Sequence, residues 1–129
     1  MIPRRGIDAI IWAGLWGASL SSCAEISLRK AMTGVQERYV RLTQMLESGS
    51  NFGARDAALA LRKALESPPV ARESPYAADT EYQQLLREAV ESAERVRTVA
   101  KRFDGSALEG MRTEVSARCD ACHKKFRQP

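Results

Sequence analysis

Histidine occurs once in this chain of 129 residues, cysteine three times and tryptophan twice. These shortages already exclude several chemistries. A closed structural zinc site takes about four nitrogen or sulfur ligands. Cys119, Cys122 and His123 lie together, but only Cys23 remains besides them, so such a site would need carboxylates and fits poorly. Aromatic residues make up 6% of the chain, and both tryptophans, Trp12 and Trp16, fall in its N-terminal stretch. The rest must build its interior from Leu, Val, Ala, Met and a few Phe and Tyr, which is a helical palette. No strand pattern, internal repeat or low-complexity tract stands out. The formal charge is only +4, which gives little support to a nucleic-acid role. The one long apolar run, Ala9 to about Leu20, falls short of the roughly 20 residues that a membrane-spanning helix needs.

That run has the form of a secretory signal: Arg4 and Arg5 precede it, and small residues Ser21 and Ser22 follow it. Leu20-Ser21-Ser22-Cys23 further resembles the lipobox of bacterial lipoproteins, with Cys23 as the acylated mature N-terminus. Residues 1–22 are therefore expected to be a signal peptide and 23–129 a single domain outside the bacterial cytoplasm, in the periplasm, anchored through lipid on Cys23. An ordinary cut after Ala24 is the alternative. Removal of the leader takes Arg4, Arg5 and Asp8 together and lowers the charge to +3.

The mature part reads as four helices. From Glu25 to Ser48, apolar Leu28, Met32, Val35, Tyr39, Leu42 and Leu46 recur in steps of four and three. Ser48-Gly49-Ser50 is a stop, and a shorter segment from about Phe52 to Ser67 gathers Ala57, Ala58, Leu61, Ala64 and Leu65 on one side. Pro68-Pro69 ends it, and Val70 to Ala78 is the longest connection. Thr80-Glu81-Tyr82-Gln83 has the form of a capping box opening a third helix. Its apolar stripe runs from Tyr82 through Leu85, Leu86, Ala89, Val90, Ala93, Val96, Val99 and Ala100 to Phe103, and Arg87, Glu88, Glu91, Glu94, Arg95 and Lys101 make a solvated face. After Asp104-Gly105, Ser106 with Glu109 opens the last helix, with Leu108, Met111, Val115, Cys119, Cys122 and Phe126 facing inward. Short links make an antiparallel up-down-up-down four-helix bundle the expected all-α fold.

Chemistry concentrates in Cys119-Asp120-Ala121-Cys122-His123. Two cysteines three apart followed by histidine form the attachment pattern of c-type haem, in which the thiols add to the two vinyl groups and the imidazole binds iron. On a helix, positions i, i+3 and i+4 share a face, so both sulfurs and the nitrogen can meet one ligand. A thiol-disulfide motif, the other reading of the cysteine pair, belongs at a helix start in a βαβ setting; here it stands near a helix end. A haem-free thiol oxidoreductase is thus the weakest of three functional readings.

An exported four-helix chain ending in Cys119-Asp120-Ala121-Cys122-His123-Lys124-Lys125-Phe126-Arg127 resembles the class II c-type cytochromes, the cytochrome c prime family. The likeness covers roughly Glu25 to Arg127. It departs from the family's usual form in its short second link and its lack of tryptophan in the mature part. The resemblance implies one covalent haem c on Cys119 and Cys122, His123 as proximal axial ligand, and either methionine or nothing on the distal side, with covalent haem near the C-terminal end of the last helix. It also implies that the residue over the distal face comes from the first helix, where Met32 aligns.

Geometry reaches Met32 independently. In an antiparallel bundle the end of the last helix lies level with the start of the first, which puts Met32 within about a turn of His123. Met45 lies about 20 Å further along and Met111 about 18 Å from His123, so both are expected to be structural. A single histidine rules out bis-histidine ligation. With Met32 bound, the protein is a one-electron carrier and no enzyme; with Met32 packed but unbound, five-coordinate iron would admit nitric oxide or carbon monoxide. Arg29, Lys30, Lys124, Lys125 and Arg127 should converge as a basic rim, with Arg127, Arg29 and Lys30 as candidate haem-propionate contacts and the rim steering redox protein partners with acidic docking surfaces. Ala57, Ala58, Ala60 and Ala64 allow close helix approach, and the family implies a homodimer through the first two helices.

Overall fold

The computed structural model describes the backbone of residues 3–101 and 105–126, and the side chains of residues 23–100 and 109–126. Every described element is helical: α1 (Pro3–Glu47), α2 (Asn51–Leu65), α3 (Pro68–Ala71), α4 (Thr80–Lys101) and α5 (Gly105–Phe126). Helix α1 continues without a break from Pro3 through Cys23, where the sequence pattern starts a helix only at Glu25. Among the described residues no helix is long and apolar enough to cross a membrane.

Turn chemistry fixes where α1 stops and α2 begins. Gly49 takes φ 70°, and the amides of Ser50 and Gly49 return to the carbonyls of Met45 and Leu46 at 3.1 and 3.3 Å. This is a Schellman closure, which favours glycine because a side chain is strained at positive φ. Ser50 then serves α2 as its N-cap, its Oγ accepting from the Gly53 amide at 3.1 Å. A side chain on Gly53 would collide with Met45 Sδ, so Met45 is used to pack the α1–α2 corner.

Pro68-Pro69 ends α2 but also nucleates α3, because proline suits the first helical positions, where no amide partner is needed. The sequence pattern treats this stretch as connection only. Helix α4 is capped one residue earlier than the capping box suggests: Asp79 Oδ1 accepts from the amides of Glu81 and Tyr82 at 2.9 and 3.0 Å. Gln83, instead of reaching back to its own helix start, donates from Nε2 to the carbonyls of Ala71 and Ala77, at 2.9 Å each.

The core joins Val35, Leu42 and Leu46 of α1, Ala54, Ala57, Ala58, Leu61 and Leu65 of α2, Tyr82, Leu86, Ala89, Ala93, Val96 and Ala100 of α4, and Val115 of α5. At about 25 cal/mol per Å² of apolar surface, burial of this face is what holds the helices together. Ala57 and Ala58 are spent inside the chain's own core, while Ala60 and Ala64 are half-buried. Helix α2 packs against both α1 and α4, α4 against α5, and α1 meets α5 only sparsely. Phe103 and Asp104, with the side chains of Lys101, Ser106 and Leu108, lie outside the described residues.

Several charges expected on a solvated face of α4 instead bridge helices. Glu94 binds Arg62 of α2 at 2.8 Å, Glu88 binds Arg118 of α5 at 3.3 Å, and Arg95 pairs with Glu114 of α5. Ser92, fully buried, accepts from Arg95 at 3.1 Å and stands 3.5 Å from Glu114. Across the sparse α1–α5 seam, Arg112 reaches Glu47 at 2.7 Å.

Candidate functional site

Sparse contact between α1 and α5 leaves a cavity of about 820 Å³, bounded also by α4. Helix α1 contributes Leu28, Arg29, Met32, Val35 and Tyr39, and α4 contributes Tyr82, Leu86 and Ala89. Helix α5 contributes Cys119, Asp120, Cys122, His123 and Phe126. Leu65, Val70 and Tyr76 line it too, as do the polar Glu25, Thr33, Gln36 and Glu37 of α1. The volume is within the roughly 300–1,000 Å³ usual for small-molecule and cofactor sites.

Met32 is the methionine that faces this space, whereas Met45 and Met111 pack elsewhere against the core. The reason is helical register: Leu28, Met32, Val35 and Tyr39 occupy one stripe, which buries Leu42 and Leu46 further along and opens onto the cavity where α5 diverges. Cys119 and Cys122 are free thiols, half-buried, and on the same α5 surface as His123. Two thiols, an imidazole and a thioether sulfur thus share a lining that also carries Glu25, Arg29, Thr33, Gln36, Glu37 and Asp120, and together they are a donor set able to hold a covalently tethered porphyrin.

Burial pushes the Cys119 thiol from the ordinary 9.0 to about 11, with Cys122 and Asp120 adding to the effect. Burial also raises Cys122. Reactive redox cysteines show the opposite shift, usually at helix N-termini or beside cations. Here the pair stands in the last two turns of α5, whose exposed carbonyls disfavour an anion. Among the described residues no three His, Cys, Asp or Glu side chains gather into a metal-ion site.

The basic residues of the expected rim fall in different settings. Arg29 is exposed and lines the cavity mouth; Lys30 is exposed but does not line it. Lys124 faces water, while Lys125 pairs with Glu81 of α4, a local role. Lys125 is thereby tied to its own fold because α5 ends beside the first turn of α4. Arg127 lies outside the described residues. Cys23 is exposed on α1 and does not line the cavity.

Sequence reasoning missed the aromatic wall. Tyr76, Tyr82 and Phe126 form a three-ring cluster with centroids 5.2 to 5.7 Å apart. Tyr82 Oη donates to the Val70 carbonyl at 2.7 Å, and burial raises its pKa against the lowering effect of a hydrogen bond with Ser74. A lone aromatic inside the longest connection, Pro75-Tyr76, was the available signal. Comparisons with protein-family models, with curated proteins and with solved structures gave no match.

Proposed function

We propose that the chain is an exported c-type cytochrome domain, of the cytochrome c prime kind, that carries single electrons. Cys119 and Cys122 would hold haem c through thioethers, His123 would be its proximal ligand and Met32 its distal one. The observation that carries this reading is that four donors from opposite ends of the chain line one cavity of cofactor size. When bound, haem supplies a reversible one-electron couple, and methionine ligation sets that couple at higher potential. The chain's own residues do the rest. Leu28, Val35, Leu86 and Ala89 exclude water from the site, and Arg29 stands at the mouth as the best-located propionate partner.

The up-down-up-down bundle belongs to the same proposal. Glu81 with Lys125, Glu88 with Arg118, and Arg95 with Glu114 rise along α4 as they fall along α5, the numbering that antiparallel neighbours give. Glu47 with Arg112 relates the far end of α1 to the early part of α5 in the same sense. Export under the 1–22 leader and acylation of Cys23 complete the reading, and the exposure of Cys23 suits a lipid anchor.

Spectra of the protein matured in a haem-attaching periplasm test it. A low-spin ferric spectrum with a weak far-red sulfur-to-iron band, and no carbon monoxide adduct on reduction, is the expected result. A high-spin ferric spectrum with ready carbon monoxide binding would replace electron carriage by gas binding. A spectrum without haem would refute both.

A further inference from the structure

We propose that the connection from Pro68 to Asp79 is a strap whose task is to fix the turn of α5 bearing Cys122 and His123, with Gln83, Tyr82 and Tyr76 as its positioning residues. This inference rests on the cofactor reading for its functional meaning but not for its geometry. Two adjacent side chains in the first turn of α4 peg the strap down. Tyr82 Oη donates to Val70 O at 2.7 Å, and Gln83 Nε2 donates to both Ala71 O and Ala77 O at 2.9 Å. Inside the strap, buried Ser74 accepts the Tyr76 amide on Oγ at 3.1 Å, and Val70 is wholly buried. A connection of this length would otherwise leave its carbonyls to water, and these donors convert it into a wall.

The wall ends on the Tyr76 ring, whose centroid lies 5.3 Å from that of Phe126, with Tyr82 meeting Phe126 edge-on at 5.2 Å. Phe126 is three residues beyond His123 and shares its side of α5. The two rings therefore hold the last turn of α5 from outside the helix, at the point where a helix end otherwise frays. Tyr76, Phe126, Cys122 and His123 line the same cavity, so any movement of the strap is felt at the donors.

The test labels thiols of the full chain, made in the cytoplasm so that neither haem nor lipid is attached, with a maleimide, using exposed Cys23 as the internal reference. Gln83→Leu removes both hydrogen bonds, Tyr76→Ala removes the ring, and Tyr76→Phe keeps it. Gln83→Leu, which loses two hydrogen bonds, and Tyr76→Ala, which loses two ring contacts, should each raise Cys122 labelling relative to Cys23 by roughly tenfold, with Cys119 changing less and Tyr76→Phe closer to wild type than Tyr76→Ala. Unchanged Cys122 labelling overturns the proposal. So does an equal rise at Cys119 and Cys122, which would report general loosening, or a Tyr76→Phe variant that behaves like Tyr76→Ala. In the haem-loaded protein the reduction potential should move further in Tyr76→Ala than in Tyr76→Phe. A chain that never takes up haem would sink the cofactor reading alone, since the labelling pattern does not depend on it.

Discussion

Raising the pH of the haem-free chain separates a cofactor tether from a redox dithiol. A thiol oxidoreductase needs one cysteine of its pair ionised near neutrality. Cys119 instead moves from 9.0 to about 11, chiefly because burial penalises the thiolate. A shift of that size makes its thiolate about 100-fold scarcer at pH 7 than that of an ordinary cysteine. Alkylation of Cys119 by iodoacetamide, followed by peptide mass, should therefore be about 100-fold slow at neutral pH and climb steadily to about pH 11. The same shift carries a stability consequence. The folded state holds the proton that the unfolded chain loses above pH 9, so stability is whole below pH 9 and falls as pH rises towards 11. The loss is at most about 3 kcal/mol, reduced by the solvent that reaches a half-buried thiol. Alkylation at neutral pH as fast as that of an unstructured peptide, or stability rising across that window, would refute the reasoning.

Three further outcomes follow from packing and charge. Leu61→Ala, at a fully buried site of α2, should cost about 2–5 kcal/mol in denaturant melts, and a loss under about 1 kcal/mol would contradict a close-packed interior. Asp79→Ala should cost about 1 kcal/mol through its lost cap, with Thr80→Ala nearly silent; the reverse order would restore the capping box read from the sequence. Lys124→Glu should slow electron exchange with an acidic partner at low ionic strength, the difference fading near 1 M salt, where screening acts over about 3 Å. A rate that ignores both the charge and the salt would leave the rim without a docking role.

What could be read from the sequence was what repeats locally. The α1 stripe through Leu28, Met32, Val35, Leu42 and Leu46, and the small-residue face of α2, depend on neighbours three or four residues away and are found where the pattern puts them. The motif at Cys119, Cys122 and His123 is legible for the same reason. Features made by distant partners were not. Glu94 looked solvated because its partner, Arg62, lies on another helix, and Lys125 looked available for docking because Glu81 is far away in sequence. Buried Ser92 breaks an apolar stripe, and its tolerance depends on Arg95 and Glu114 converging from two helices. The cap of α4 shifted by one residue because Asp79 takes the amides of Glu81 and Tyr82 on its side chain and that of Gln83 on its carbonyl, a choice that periodicity does not register.

The central claim is that haem is joined to Cys119 and Cys122, and the intact mass of the protein matured in a haem-attaching periplasm tests it most directly. The account predicts a coloured protein carrying the mass of one haem that survives denaturation, with neither Cys119 nor Cys122 taking up an alkylating reagent. A colourless protein of unmodified mass, in which both thiols alkylate once it is unfolded, would contradict it.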